Sequence, residues 1–228
     1  MVTNGKVKPE FSPFHFNVLP KATLRAFQKC AEIKFFLRSK WYLAGGTALA
    51  LQSGHRKSVD LDFFTEQEKF NRKKIERLLN NEGKWVTTSL SEGTLYGELW
   101  GAKMSFIAYP LFVPTIPKPK YGTISMIDPQ DIGIMKIIAI SQRGRKRDFF
   151  DLYWICHNVQ SLSKIIMRIH KQYTIKQNLA HILKSLVYFE DAEGDPEPEI
   201  YFPANWKTVK KFFRKEIPEI TKKIIGLV

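Results

Sequence analysis

The sequence predicts an α+β fold, in which a mixed sheet is followed by a mainly helical C-terminal region. Three observations carry that prediction: a strand, glycine turn, helix and strand in succession over residues 41–64; three closely spaced strand candidates over residues 84–114; and a helical remainder from Asp128 onward. With 228 residues the chain has material for one large domain or two small ones. Its 44% hydrophobic and 25% charged content is that of an ordinary globular protein rather than a disordered or membrane-embedded one.

Taken in order, residues 20–40 read as a helix, with Leu24, Phe27, Ile33, Phe36 and Leu37 on an apolar surface and Lys21, Arg25, Lys29, Lys34, Arg38 and Lys40 around it. Trp41-Tyr42-Leu43 suits a short strand. Gly45-Gly46-Thr47 then turns the chain into the helix formers Ala48 to Gln52, which Gly54 ends. Val59 to Phe64 is a strand with alternating acids, its Val59, Leu61 and Phe63 expected in the core. A polar-faced helix spans about Lys69 to Asn80. The candidates Trp85 to Leu90, Thr94 to Trp100 and Lys103 to Tyr109 are joined so tightly that antiparallel pairing is expected. Pro114, Pro117 and Pro119 make a stiff exposed passage, Ile124 to Met126 is one more strand, and Asp128-Pro129 starts a helix. Further helices are expected near 146–156, 161–170 and 175–188, then an acid-rich loop at Glu190 to Glu199 read as a solvated link, and a terminal basic helix. In that helix Trp206, Phe212 and Phe213 either pack on the body or serve an RNA- or lipid-binding face.

Thirty-six Lys and Arg against 22 Asp and Glu leave a formal charge of +14, which suits a polyanionic partner or substrate. Cys30 and Cys156 match neither a disulfide scaffold nor a CxxC site, so a cytoplasmic location is the default. The first residues, MVTNGKVKPE, carry no apolar segment, and no stretch nears the roughly 18 apolar residues of a membrane span. No membrane partner is expected.

The chemistry centres on Gly45-Gly46-Thr47, one helix, and then Asp60-Leu61-Asp62. Side chains at i and i+2 of a strand leave on one face, so Asp60 and Asp62 converge. Paired carboxylates suit a divalent cation with oxygen ligands, above all magnesium shared with nucleotide phosphates. The glycines permit close backbone approach, and free amides at the start of the helix favour phosphate oxygens. Arg143, Arg145, Lys146 and Arg147 head a further helix as a basic cluster able to grip phosphate or an RNA backbone. On that helix Asp148 and Asp151 stand on one side, where they either face a cleft or serve architecture, Asp148 as a cap and Asp151 paired with Arg147 or Lys136.

Tyr42 to Leu51, with His55-Arg56-Lys57-Ser58-Val59-Asp60-Leu61-Asp62-Phe63-Phe64, resembles the opening motif of the AbiEii toxin family of nucleotidyltransferases. A second match is Asp131 with Lys136, Ala139 and Arg143 to Tyr153, so that the resemblance spans roughly residues 25–160. It implies a DNA polymerase beta-like nucleotidyltransferase core, residues 1–125, and a helical region, residues 126–228, that completes the active-site cleft. It implies a toxin of a toxin-antitoxin system that uses nucleoside triphosphates, with tRNA or another RNA as acceptor and a cognate antitoxin as partner. By the same carry-over Gly45, Gly46, Thr47, Arg56 and Ser58 hold the triphosphate together with Arg143 and Lys146. Asp60 and Asp62 bind magnesium and are catalytic, as are Lys136, Asp148 and Asp151. His55 lacks a partnered nucleophile in the sequence and reads as a motif or substrate-positioning residue rather than a general base.

One departure stands out. Many polymerase beta-like enzymes carry a third carboxylate on a neighbouring strand, where this chain offers Ser105, which is no carboxylate base or strong magnesium ligand. Glu98, Asp148 or Asp151 are the alternative third acids. Two other functions remain open on sequence: a catalytically weak nucleotide-cleft protein that binds nucleic acid or a protein, and a nucleotidyltransferase acting on a protein or small-molecule acceptor.

Overall fold

The computed structural model describes residues 14–224 and Gly226; the start MVTNGKVKPE, expected to carry no apolar segment, lies outside the described residues, as do Ile225, Leu227 and Val228. After a 3-10 turn at Phe16–Val18 come α1 (Lys21–Cys30), α2 (Lys34–Leu37), β1 (Tyr42–Ala44), α3 (Gly45–Ser53), β2 (Leu61–Thr65), α4 (Arg72–Glu82), β3 (Trp85–Ser91), β4 (Thr94–Leu99) and β5 (Ala102–Ala108). The short strands β6 (Lys120–Tyr121) and β7 (Ile124–Met126) precede α5 (Pro129–Arg143), α6 (Lys146–Asn158), α7 (Leu162–Gln172), α8 (Leu179–Ser185), α9 (Glu190–Glu193) and α10 (Trp206–Ile224). One sheet of seven strands runs β3-β4-β5-β2-β1-β7-β6. The pairs β1/β7 and β2/β5 are parallel and the others antiparallel, so the sheet is mixed and the fold is α+β as the sequence predicts.

Strand alternation divides the work of the sheet. On β2, Leu61 and Phe63 are buried on one face while Asp62 and Phe64 leave from the other. On the buried face Phe63 stacks against Phe106 of β5 at 5.2 Å and against Phe36 of α2 at 4.9 Å, with Trp41 edge-on to Phe106 at 5.4 Å. Each such pair contributes about 0.5–1.5 kcal/mol beyond its area burial. The strand is thereby held from behind, and the carboxylate on its other face has a fixed origin.

Helix α5 forms because Asp128 caps it, accepting from the Gln130 amide, Pro129 fits its first position, and Gly144 ends it at φ 54°. Its Ile132, Ile134, Ile137, Ile138 and Ile140 are all buried, which makes Lys136 in their midst a conspicuous cation.

Three sequence expectations differ from the structure. The helix expected over 20–40 breaks at Ala31–Ile33, because Thr123 of the β6–β7 turn hydrogen-bonds the carbonyls of Ala31 (2.8 Å) and Cys30 (3.2 Å), ending α1 from outside. Val59 is exposed rather than in the core, since β2 starts only at Leu61. The acid-rich segment is no solvated link: it holds α9, and its Glu193 pairs with Lys210 at 2.7 Å and accepts from the Trp206 indole at 2.9 Å. Trp206 and Phe213 of the basic helix are buried against the body, the packing alternative of the two read for them.

Asp131, fully buried, fastens the proline passage to the helices. It accepts the Thr115 and Ile116 amides at 2.9 and 3.1 Å, the Gln172 side chain at 2.9 Å and Arg168 at 2.5 Å. Removing one member of a buried charged set leaves the others unpaired, at a cost of about 3–5 kcal/mol. Asp131→Ala is therefore expected to lower the unfolding free energy by about that much in urea denaturation, and a loss of under about 1 kcal/mol would contradict this anchoring role.

Candidate active site

The residues around Gly45 and Asp62 meet because β1 and β2 are antiparallel, with Ala44 opposite Asp62. Gly45 turns from β1 into α3 at φ +68°, and a Cβ there would lie 3.2 Å from Asp62 Oδ2. Glycine is thus what keeps the free oxygen of Asp62 open. The other oxygen, Oδ1, accepts the Ser105 hydroxyl at 2.5 Å, Ser105 being the direct neighbour of Asp62 on β5. Burial pushes the Asp62 carboxyl above the ordinary aspartate range, the Ser105 hydrogen bond opposes this, and the nearby charge of Asp60 adds to it. Asp60 precedes the strand and is partly exposed, with Oδ2 3.7 Å from Arg147. Thr47 donates its hydroxyl to the Asp60 carbonyl, so the 2.7 Å contact between the Thr47 and Ser58 hydroxyls has Ser58 as donor. These two hydroxyls brace the loop that carries Asp60.

The acid pair opens on a cavity of about 490 Å³. Gly45, Gly46, Thr47, Arg56, Ser58, Asp60 and Asp62 line one side, and the cations Lys103, Lys136, Arg143 and Arg147 face it from β5, α5 and α6. Phe64, Ile132, Tyr109 and Tyr173 make an apolar end. Walls therefore come from both the sheet and the helices. Lys103 was not singled out from the sequence, although it stands two residues before Ser105 on the same face of β5, the signal that would have found it.

Three expected site residues lie elsewhere. Asp148 and Asp151 have no exposed surface and sit behind the cavity wall. Asp151 accepts Arg56 Nε and Nη2 at 2.6 and 2.9 Å and His55 Nε2 at 2.7 Å, and lies 2.6 Å from Lys136 Nζ. Asp148 holds Lys136 at 2.5 Å and Arg143 at 3.1 Å. Both acids are held away from the cavity by cations that converge on them from α3's C-terminal loop and from α5. Neither Asp148, which lies in the first turn with Arg145 at the cap position, nor Glu98, opposite Lys103, supplies a third acid beside Asp62. Lys146 is turned from the cavity, its ammonium donating to the carbonyls of Asp195 (2.5 Å) and Glu193 (3.2 Å).

Burial alone would raise the carboxyl of Asp151, but Arg56 and Lys136 outweigh it and hold it well below its ordinary range. Asp148 is likewise lowered, burial being overcome by Lys136 and Arg143. His55 is kept neutral by burial and by the cations Arg56 and Lys136, against the pull of Asp151, and accepts from or donates to Ser53 at 2.8 Å. It bridges Ser53 and Asp151 inside the fold and does not line the cavity, rather than standing where it would position a substrate.

An acid pair beside a glycine turn, on one wall of a cleft whose other wall carries cations, is the arrangement of an enzyme that handles nucleotides. A family model described as nucleotidyl transferase AbiEii toxin, type IV toxin-antitoxin system, matches residues 30–93 and 102–223. An uncharacterized protein of Aquifex aeolicus (strain VF5) is 35% identical over 187 residues, covering 78% of this chain and 87% of its own. Among solved structures, MenT4, a nucleotidyltransferase toxin from Mycobacterium tuberculosis H37Rv, is similar at a TM-score of 0.49 and 13% identity over 89% of this chain and 86% of that one. JHP933 from Helicobacter pylori gives 0.45 and 14%, over 92% and 99%. The chain belongs to the AbiEii family, and is a nucleotidyltransferase of the toxin-antitoxin class. Among the described residues, no helix is long and apolar enough to cross a membrane.

Two outcomes are expected. A Cβ at Gly46 would stand 2.1 Å from Arg56 Nη2, whose guanidinium is already fixed by Asp151. Gly46→Ala should cost about 1–3 kcal/mol of stability and disturb the cavity wall, and wild-type stability with wild-type turnover would refute the rigidity of Arg56. For pH, Asp148, Asp151 and His55 all have lowered values in the fold, so each contributes stability above its unfolded value that is lost as pH falls. The histidine acts first, because its unfolded value is about 6.5. Melting temperature should fall between about pH 7.5 and about pH 5.5, and His55→Gln should flatten that slope. A flat wild-type profile would contradict the neutral, buried histidine.

Proposed function

We propose that the protein transfers a nucleoside monophosphate from a nucleoside triphosphate to a hydroxyl of an RNA acceptor, tRNA among them, in the cytoplasm, as a toxin restrained by a cognate antitoxin. The observation that carries this is the Asp60–Asp62 pair beside the Gly45 turn, in a cleft whose other wall presents Lys103, Lys136, Arg143 and Arg147. The acceptor hydroxyl oxygen attacks the α-phosphorus and gives up its proton to solvent, the new phosphoester forms, and the α–β phosphoanhydride breaks to release pyrophosphate.

The donor set suits magnesium. Asp62 Oδ2 is left open beside Gly45, Asp60 is partly exposed two residues away, and both are hard oxygen ligands. These two carboxylates would hold the ion, and its further ligands would be phosphate and water, as is common for magnesium. Bound there, the cation supplies Lewis acidity at the α-phosphate. The chain's own residues orient and neutralise. The backbone at Gly45 and Gly46 admits the triphosphate to the first amides of α3. Lys136 and Arg143, held from behind by Asp148 and Asp151, present fixed positive charge to the leaving pyrophosphate. Ser105 orients the Asp62 carboxylate instead of adding a third one. The apolar end at Phe64, Tyr109 and Tyr173 is of a kind that receives the base.

Incubation with each of the four α-labelled nucleoside triphosphates, magnesium and total RNA should place label on a small RNA. Asp60→Asn and Asp62→Asn should each lower labelling by at least about 100-fold with the melting temperature nearly kept. Wild-type labelling by both variants would sink the proposed metal site, and label on a protein or small molecule alone would reassign the acceptor.

A further inference from the structure

We propose that a second recess, at the far end of the β1–β2 pair from Asp60 and Asp62, grips the phosphodiester backbone of an RNA strand. It encloses about 750 Å³ between α2 and α4, with Lys34, Arg38, Lys40 and Lys74 around it, Ser39 and Gln67 between them, and Phe35 and Trp41 as its floor. Strand register separates it from the cleft. Ala44 lies opposite Asp62 and Tyr42 opposite Phe64, so Trp41 and Gln67 stand beyond the other end of the pair. Three residues of strand rise already put the Thr65 end of β2 roughly 10 Å from Asp62.

All four cations are exposed, and among the described residues none has a carboxylate within ion-pair distance. Elsewhere on this surface lysines such as Lys29, Lys57 and Lys210 do have acidic partners. Of the two glutamates beside Gln67, Glu66 is paired with Lys118 at 3.5 Å, and Glu68 does not line the recess. The placement also opposes the fold's own electrostatics. Lys74 shares the first turn of α4 with Arg72 and Lys73, with no acid there, where a helix disfavours cations. The uncompensated charge gains a partner when an anion enters.

The recess is also shaped in advance. The Trp41 amide donates to Ser39 Oγ at 3.3 Å, Trp41 meets Phe70 edge-on at 5.0 Å, and Lys74 Nζ sits 5.6 Å above the Phe35 ring. Lysine-rich walls with hydroxyl and amide groups between them suit phosphate, whereas protein interfaces are depleted of lysine at their centres. A backbone contact of this kind carries affinity without reading sequence, and it holds a large acceptor while one end of it reacts. Only the identification of the bound RNA as acceptor rests on the proposed transfer reaction.

The test measures binding of a short single-stranded RNA of mixed sequence over a salt series. It compares wild type with the quadruple variant Lys34→Ala, Arg38→Ala, Lys40→Ala, Lys74→Ala, and with a control that changes the exposed Lys164, Lys171, Lys176 and Lys184 to Ala. The recess variant should bind at least about tenfold more weakly near physiological salt, with a log–log salt slope shallower by about 3, as four phosphates at about 0.7 each require. The control should stay close to wild type, and both variants should bind nucleoside triphosphate like wild type. Equal losses in the two variants, or an unchanged recess variant, overturn the proposal. So does displacement of the RNA by inorganic phosphate beyond the effect of chloride at equal ionic strength, which would mark a free-anion site, or equal competition by polyglutamate, which would mark an acidic protein partner. Failure of nucleotidyl transfer leaves this binding result standing; loss of the recess effect with transfer intact overturns this proposal alone.

Discussion

Asp148 and Asp151, with no exposed surface, share the cations Lys136, Arg56 and Arg143, and the rest of the molecule is arranged to keep that set closed. Each charge taken from water costs several kcal/mol, and only mutual attraction with full hydrogen bonding returns it. Lys136 comes from α5, the two acids from α6, and Arg56 from the loop between α3 and β2. None of these elements can shift without leaving a buried charge unpaired. The cluster therefore sets the relation of the helices to the sheet, and with it the width of the cleft between Asp60–Asp62 and Arg143. It also uses arginine where arginine is needed: the two nitrogens of Arg56 meet the two oxygens of Asp151 in a bidentate pair that a lysine cannot reproduce.

The sheet separates packing from chemistry across the thickness of a single strand. Phe63 and Phe106 stack on one side at 9° to each other, while Asp62 and Ser105, their immediate neighbours in sequence, face the cavity. Rigidity on the packed side is transmitted through one backbone, with no loop in between. The opposite treatment of the two acid pairs follows from this. Asp148 and Asp151 are saturated with cations and have carboxyls driven low, whereas Asp62 receives one hydroxyl and stays short of positive charge. A site that must accept a cation and phosphates keeps its charge demand unmet until they arrive.

What the sequence made legible was local. The strand, glycine turn and helix from Tyr42 to Ser53, the three-strand meander and the Asp128-Pro129 start of α5 all depend on neighbours within a few residues, and each is found where spacing and turn chemistry put it. That Asp148 and Asp151 share a helix side was equally readable from their three-residue spacing. Their depth was not, because Arg56 reaches Asp151 across 95 residues of chain. The break after α1 escaped for the same reason: nothing in Lys29 to Ile33 is a helix breaker, and the hydrogen bonds that end the helix come from Thr123. Lys146 looked like a phosphate ligand beside its basic neighbours, and only the fold supplies the Asp195 and Glu193 carbonyls that claim it.

The segment after α9 returns to the loop that bears Arg56. The Tyr201 amide donates to the His55 carbonyl at 2.8 Å, the Lys57 amide donates to the Glu199 carbonyl at 2.9 Å, and Arg56 and Ile200 form an isolated bridge. The Lys57–Glu199 pair spans 142 positions of chain. A ribosome delivers residues in order at about 5–20 per second, so roughly 7–28 s separates the synthesis of this loop from that of the segment that clamps it. During that interval the nascent chain already carries Asp60 and Asp62 but lacks the clamp on Arg56. The cleft's Arg56 wall is thus completed only after residues 199–201 have been made.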